Sequence, residues 1–431
     1  MANSFRDVFK LPDLKRRILF TMAMLFIFRL GAHIPTPGID TAHMSSLFNS
    51  NGVLGFLDMF AGGALRRFSV FSLGVAPYIN ASIVMQLAAV IFPSLERLQK
   101  EGPQGQRKLT QITRYGAILF AAIQAVGLVM WLSRLGVFSG GPLDFITSVV
   151  TVVAGSMAVM WLGEEITDHG IGNGISMIIY AGIVARLPEA VISTLSALRA
   201  GSLNIVTLAL AVLVIVGVLA GAVLLQEGTR RLPVQYAKRV VGNKVYGGQS
   251  TFIPLRVNIG GVMPIIFASS ILIFPVTLLK LFDNPTINKL TNALSPGSWL
   301  YTVLYVILIV FFAFFYTAMV FNPQDVAENM KKNGGFILGV RPGKPTADYI
   351  ERVATRITLV GALMLVVIAL IPNLLTNFFG IHSFYFGGTA VLIVVGVALE
   401  LVQQIESQLL MRHYEGILKR NGGKGAGLLR F

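Results

Sequence analysis

The stretch Gly74-Val75-Ala76-Pro77-Tyr78-Ile79-Asn80-Ala81-Ser82 opens one long apolar run of this sequence, and Gly261-Val262-Met263-Pro264-Ile265-Ile266-Phe267-Ala268-Ser269 opens another. In register, the two stretches share Gly, Val, Pro, Ile, Ala and Ser. Chance similarity between apolar sequences is the competing explanation, and it accounts poorly for a Gly and a Pro matched in register. The repeat therefore indicates a chain built from two related halves.

Apolar runs of about twenty residues recur along the whole chain, and each is long enough to cross ~30 Å of hydrocarbon. The 431 residues are 54% hydrophobic and 13% charged, which is too apolar for an ordinary soluble protein. The first run has no small-residue cleavage site after it, so we expect it to remain as a span. The sequence predicts an all-α integral membrane protein of ten transmembrane helices, at about Ile18–Pro35, Val70–Phe92, Tyr115–Ser133, Phe145–Gly163, Ile175–Leu195, Leu203–Gln226, Ile259–Phe282, Leu300–Phe321, Arg356–Leu375 and Phe384–Ile405.

The two repeat stretches lie five spans apart, so the halves enter the membrane in opposite senses. This is the pattern of an inverted repeat, with a pathway expected at the interface of the halves. We predict an N-terminal half at 1–200 with spans one to five, a C-terminal half at 201–405 with spans six to ten, and a tail at 406–431.

The distribution of basic residues predicts the orientation of the spans. The sequence holds 35 Lys and Arg residues, and only Arg66, Arg67, Arg134, Arg186, Arg199, Lys280 and Lys289 lie in loops on the side opposite the N-terminus. Cytoplasmic loops carry the excess of Lys and Arg. Both termini are therefore predicted to lie in the cytoplasm.

Two of the predicted inner loops are long, at 227–258 and 322–355. In the first, the β-prone runs Val234–Val241 and Lys244–Tyr246 flank a Gly-Asn pair, which suggests a small β-hairpin after the sixth span. Basic, structured loops of this length are typical of docking surfaces. The alternative is a solvated loop that only sets topology.

A third stretch, Leu54–Phe68, is apolar but includes Asp58, Gly62-Gly63 and Arg66-Arg67. It is too short and too charged to cross lipid, so a re-entrant segment packed inside the bundle is predicted. An interfacial helix on the outer side is the alternative.

Several chemistries are missing from the sequence. There is no cysteine, the five histidines are scattered, and no Walker A loop is present, so we expect no cofactor, no metal site and no enzyme activity. Pro77 and Pro264 break helical backbone, which in a membrane must be buried in protein or line water. The spans hold few ionisable residues, and this favours an apolar or weakly polar pathway.

Several long motifs, in order, resemble the SecY family of bacterial protein-translocation channels over nearly the whole chain. They are Arg29–Gly38, Met59–Leu65, Pro77–Ile83, Gly170–Ser176, Tyr236–Arg239, Gly339–Gly343 and Tyr385–Thr389.

The resemblance implies an hourglass with an aliphatic ring at its waist, a plug at about 54–68 and a lateral gate between the second and seventh spans. The implied residues fall into four groups. They are the ring residues Val75, Ile79, Ile175, Ile179, Ile266 and Ile393, the plug residues Asp58, Phe60, Gly62, Gly63, Arg66 and Arg67, the gate residues Asn80, Ile83, Phe267, Ser270 and Phe274, and the docking residues Lys238, Arg239, Lys244 and Arg341.

The implied function is passage of unfolded polypeptides across the bacterial cytoplasmic membrane, with lateral release of signal sequences or membrane segments into lipid. The implied partners are the small subunits SecE and SecG, the SecA motor ATPase, the ribosome with its RNA and proteins, chains bearing a signal sequence, and lipid. The alternative function is a secondary transporter for a small solute, which is also built from inverted repeats.

Overall fold

The computed structural model describes residues 11–37, 58, 61–138, 140–201, 204–236, 239–241, 244–246, 250–279, 285–295, 297–379 and 388–425. Helices dominate this part of the chain. They are α1 (Pro12–Gly31), α2 (Ala76–Ile91), α3 (Pro93–Lys100), α4 (Pro103–Arg134), α5 (Pro142–His169), α6 (Gly174–Val184), α7 (Leu187–Arg199), α8 (Ile205–Glu227), α9 (Met263–Leu279), α10 (Pro285–Ala293), α11 (Trp299–Val320), α12 (Pro323–Lys332), α13 (Lys344–Phe379) and α14 (Gly388–Gly425).

Seven helices in the described residues are long and apolar enough to cross a membrane, or eight if the bent pair α2 and α3 forms one span. The predicted first span falls on α1, which carries Lys15, Arg16 and Arg17 in its first half. The predicted seventh span falls on α9, whose apolar part, Met263–Thr277, is short. The described residues thus show a multi-span helical membrane protein, and the exact count of ten stays a prediction.

The two prolines of the repeat lie at the second position of their helices, α2 and α9. A proline in the first helical turn leaves no intrahelical hydrogen bond unmade, because those amides have no partner within the helix. Both prolines therefore mark a helix start, which is one of the two ways, start or kink, in which a proline breaks helical backbone. The second predicted span differs at its beginning, since residues 70–75 form turns and the helix starts only at Ala76.

The chain divides into two compact units, which we call unit 1 (Met1–Ala81, Arg97–Arg186 and Val397–Phe431) and unit 2 (Ser82–Glu96 and Leu187–Gly396). In unit 1, α4 packs against α5 and α2 through fully buried Ala117, together with Ala81 and Met160. Small residues let helix backbones approach closely in a membrane protein.

Unit 2 carries a small β-structure in the loop after α8. Strand β1 (Thr229–Tyr236) pairs antiparallel with β4 (Ser250–Arg256), and β5 (Gly335–Phe336) pairs with the other edge of β1. The strands β2 (Arg239–Val241) and β3 (Lys244–Tyr246) pair with each other, so the predicted hairpin is confirmed. We call the sheet of β4, β1 and β5 the loop sheet.

The loop sheet has its own apolar core. Along β1 the side chains alternate, with Leu232 and Val234 buried and Pro233 between them exposed, as expected for a half-buried strand. The core is completed by Leu255, Met330, Ile337 and Ile350. The two predicted inner loops therefore contribute to one folded element, which the sequence prediction did not include.

Candidate channel elements

Residues 61–74, which we call the turn segment, run back against the helices of unit 1 without forming a helix or a sheet. Phe68 O accepts a hydrogen bond from Thr36 N at 2.9 Å, and Val70 N donates to Ile34 O at 3.0 Å. These two bonds pair the segment with the chain that follows α1. Most of its backbone polar groups are thus satisfied by protein, as a membrane environment demands.

Helix α5 forms a second wall for the turn segment. Ser156 Oγ donates a hydrogen bond to Gly74 O at 3.0 Å, and both groups are buried. A methyl group on Gly155 would overlap the carbonyl oxygen of Val70. The close fit of the segment on α5 therefore depends on glycine at position 155.

Asp58 organises the start of this region with both oxygens of a fully buried carboxyl group. Oδ1 accepts hydrogen bonds from the backbone N–H groups of Leu65 and Arg66, each at 3.0 Å. Oδ2 lies 3.0 Å from Nη2 of Arg186, whose side chain is 23% exposed. Burial raises the pKa of the Asp58 carboxyl, and the Arg186 guanidinium and the two N–H groups oppose that shift.

Gly62 of the turn segment approaches both α1 and α6 closely. Its φ is +66°, and a Cβ atom here would lie 3.1 Å from both Gly182 Cα and Phe28 Cζ. Its carbonyl accepts a hydrogen bond from Arg29 Nη1 at 2.9 Å. Glycine is favoured because this backbone conformation strains other residues and because there is no room for a side chain.

The other predicted plug residues surround these contacts. Gly63 also has a positive φ of +86°, Arg66 is half-buried, and the Arg67 side chain is exposed. Phe60 lies outside the described residues. The predicted re-entrant stretch is thus seen, from Asp58 and residues 61–68, as turns inside unit 1.

Four of the predicted ring residues belong to unit 1. Ile79 N donates to Val75 O at 3.1 Å, so Val75 and Ile79 share one helix face, and both are buried. On α6, Ile179 is buried and Ile175 is half-buried, and their i,i+4 spacing again gives a shared face.

The remaining two ring residues, Ile266 on α9 and Ile393 on α14, belong to unit 2 and are also buried. A methyl group on Gly396 would overlap Cγ1 of Val262. This close approach lies about one helical turn along the chain from each isoleucine.

The predicted gate residues lie on two helices. Asn80 and Ile83 on α2 are buried, as is Phe267 on α9, while Ser270 and Phe274 are half-buried. The Phe267 ring packs edge-on against the Phe312 ring of α11, with centroids 5.7 Å apart. One side of α9 is thus fixed by aromatic packing within unit 2.

The predicted docking residues are only partly described. Arg239 begins β2 and Lys244 begins β3, whereas Lys238 lies outside the described residues. Arg341 is exposed, and its backbone carbonyl accepts a hydrogen bond from Thr346 Oγ1 at 2.8 Å. The backbone of Arg341 therefore helps to form the loop, while its side chain points to solvent.

Two functional candidates, Arg29 and Arg186, were missed by the sequence analysis. The sequence analysis names Arg29 only within the motif Arg29–Gly38, and Arg186 only as a charge of an outer loop. Neither has a local sequence signal, because each partner lies far away in the chain. The one available clue was Asp58, an acid in an apolar stretch.

Apolar helices that bury a turn segment among them define a class, the multi-span helical membrane proteins with an internal non-helical segment. A solved SecY structure matches this fold with a TM-score of 0.68 and 19% identity, over 91% of this chain and 92% of that one. That structure is described as one in which the plug domain stabilises the closed state of the translocation channel and maintains a membrane seal.

Sequence comparisons identify the family. The family model SecY matches residues 69–402. The protein translocase subunit SecY of Escherichia coli (strain K12) is 45% identical over 97% of this chain and 96% of its own length. That of Thermus thermophilus is 42% identical over 99% of both. The chain belongs to the SecY family and is a protein-conducting channel of the membrane.

Proposed function

We propose that unfolded polypeptides cross the bacterial cytoplasmic membrane between two halves of this chain, 1–200 and 201–405. We further propose that a signal sequence or membrane segment leaves sideways into lipid. The channel function follows from family membership, and the route through the chain is the part proposed here. The observation that carries it is the turn segment, which lies buried in unit 1 directly before the aliphatic pair Val75 and Ile79.

The proposed seal consists of the six ring side chains Val75, Ile79, Ile175, Ile179, Ile266 and Ile393. Aliphatic side chains offer water and ions no hydrogen bonds, so a narrow ring of them resists wetting. A polypeptide in transit pushes the branched side chains aside, and they close around it. Five of these side chains, all but the half-buried Ile175, are buried within their units, which supports this role.

The proposed lateral gate is the seam between α2 and α9, lined by Asn80, Ile83, Phe267, Ser270 and Phe274. A signal sequence of about twenty apolar residues gains free energy by moving from a channel into lipid. The aromatic packing of Phe267 on Phe312 supports the proposal, because it holds one side of the seam fixed while α2 moves.

The proposed partners are SecE and SecG in the membrane, and SecA or a ribosome on the cytoplasmic side, where we also propose that both termini lie. Lys238, Arg239, Lys244 and Arg341 are the proposed docking residues. The exposed Arg341 side chain supports this assignment, since a planar guanidinium can form paired hydrogen bonds with carboxylate or phosphate groups. The secondary transporter is disfavoured by the match to translocase subunits over nearly the whole chain.

Ion conductance tests the seal. The variant Ile79→Asn, reconstituted with its partner subunits in planar bilayers, should raise the resting conductance several-fold, because an amide in the ring holds water. Leu213→Asn is the matched control, since Leu213 is 69% exposed on α8 and this variant should stay as tight as the wild type. Unchanged conductance in Ile79→Asn and in Ile393→Asn would contradict the ring assignment.

A further inference from the structure

The Asp58 carboxylate connects two parts of unit 1 that lie far apart in the chain. Its Oδ1 accepts the N–H groups of Leu65 and Arg66, and its backbone oxygen accepts Gly63 N at 3.0 Å. These three bonds shape the first turns of the turn segment. The Oδ2 atom faces the other way, 3.0 Å from Arg186 Nη2.

Arg186 is held by the end of α6. Its backbone N–H donates to Ile183 O at 3.1 Å, just beyond the last helical residue, Val184. The C-terminal end of a helix favours a cation, so α6 stabilises the guanidinium at this position. Arg186 thus joins the turn segment, through Asp58, to the helix that carries Ile175 and Ile179.

Two other polar contacts of the turn segment reach neutral carbonyl groups instead. Arg29 binds the carbonyl of Gly62 and Ser156 binds the carbonyl of Gly74, and water can replace either donor when the segment moves. The Asp58 carboxylate is fully buried. Loss of its cation leaves a desolvated charge, which is far more costly than loss of a neutral hydrogen bond.

We propose that the Asp58–Arg186 ion pair is the latch that keeps the turn segment docked in the closed channel, with Arg186 as the positioning residue. This inference rests on the proposed function, since it assigns a residue pair to the closure of the same channel. Removal of Arg186 takes away the strongest cation beside the buried Asp58 charge and leaves only the weaker influence of the Arg66 charge, so the docked state is disfavoured. The released segment then lets ions pass before any polypeptide has entered.

A set of neutral variants separates this latch from a general role in folding. Arg186→Gln removes the cation, and Asp58→Asn removes the charge while keeping an oxygen for the two N–H groups. Each single variant should release the segment. The double variant has no unpaired charge, so it should return most of the way to the docked state, and Arg186→Lys should lie between Arg186→Gln and the wild type.

Docking of the segment can be measured with one thiol. The sequence contains no cysteine, and Ser69 is fully buried in the turn segment, so Ser69→Cys adds a single reporter of nearly the same size. Its rate of labelling by a membrane-impermeant thiol reagent, and the resting conductance, are compared among the variants. Arg199→Gln is the matched control, because Arg199 is an exposed arginine at the end of α7.

We expect Arg186→Gln to raise both the labelling rate and the resting conductance by about tenfold or more. The double variant should recover, and Arg199→Gln should match the wild type. Wild-type labelling and conductance in Arg186→Gln would overturn the latch. A double variant as leaky as the single ones, with lowered thermal stability in all three, would overturn it as well, because the pair would then serve folding alone.

Membrane vesicles that contain the same channel variants distinguish a failure of this inference from a failure of the proposed function. A wild-type channel that fails to translocate a preprotein with SecA and ATP contradicts the proposed function, whatever the latch variants do. A wild-type channel that translocates normally, beside an Arg186→Gln variant that stays closed, contradicts only the latch.

Discussion

The turn segment of unit 1 and the loop sheet of unit 2 are both short non-helical elements between helices, and they are held in different ways. The turn segment depends on single polar contacts and on glycines that permit close approach, as at Gly62 and Gly155. The loop sheet depends on a continuous backbone ladder between β1 and β4 and on an apolar core around Leu232 and Leu255.

This difference indicates which of the two elements is suited to move. A ladder and an apolar core must be lost together, so the loop sheet unfolds as one unit. The turn segment can be released by the loss of a few separable contacts, which is typical of the low-stability parts of a protein. A channel needs a removable closure and a permanent docking surface, and under the proposed function the turn segment is the first and the loop sheet carries the second.

The largest expected effect comes from breaking the core of the loop sheet. Leu232→Ala should lower the free energy of unfolding of this element by about 2–5 kcal/mol, because it leaves a cavity. Limited proteolysis and SecA-driven export should both report the loss, while the resting conductance stays at the wild-type level.

The control for this variant is Leu338→Ala. Leu338 follows the loop sheet and is 60% exposed, so the same truncation should change the free energy of unfolding by no more than about 0.5 kcal/mol. Equal sensitivity of the two variants to protease would show that the loop sheet does not depend on its core.

An intermediate effect is expected for Gly62→Ala in the turn segment. The new methyl group strains a positive φ, at about 1–2 kcal/mol, and also meets Gly182 and Phe28 at 3.1 Å. Gly63→Ala is the matched control, since Gly63 has φ +86° but only Arg29 Nη1 at 3.9 Å from the added Cβ.

Both glycine variants bear the conformational strain, and only Gly62→Ala bears the steric overlap. The resting conductance should therefore rise more for Gly62→Ala than for Gly63→Ala, with export still measurable in both. If the two variants leak equally, close approach to α6 is not what limits release of the segment.

The smallest effect on stability is expected for Arg341→Glu, which should change the free energy of unfolding by less than about 0.5 kcal/mol because the side chain is exposed. ATP-driven export should nevertheless fall sharply, and Arg341→Lys should recover only part of it. Arg352→Glu makes the same charge change at an exposed position of α13 and should export nearly normally.

The sequence predicted those parts of the fold that have a local signal. The repeated prolines marked the starts of α2 and α9, and the Gly-Asn pair marked the β2–β3 hairpin. The loop sheet was not predicted, because β1 and β4 pair across the intervening hairpin. Pro233 and Pro254 also interrupt the pattern of an ordinary strand.

The candidate site was predictable in composition but not in its contacts. The residues near Gly62 and Gly63 were identified by resemblance. The sequence does not show which groups these residues contact, nor how the charges of Arg66 and Arg67 are accommodated beside them. The structure provides the missing contacts through Asp58, Arg186 and Arg29. These contacts join distant parts of the chain, so neither periodicity nor turn chemistry points to them.

The 16 residues of α2 give a helix only about 24 Å long, shorter than the ~30 Å hydrocarbon layer of a typical bilayer. The helix ends in a 102° bend to α3, so it does not continue across the lipid at that end. At its N-terminal end, α2 is too short to complete the span as a helix. The turn segment, supported by α1 and α5, lies there instead. The hydrophobic thickness of the protein beside α2 then depends on the turn segment, the element that we propose is released on opening, and a thicker bilayer would cause mismatch first at this helix.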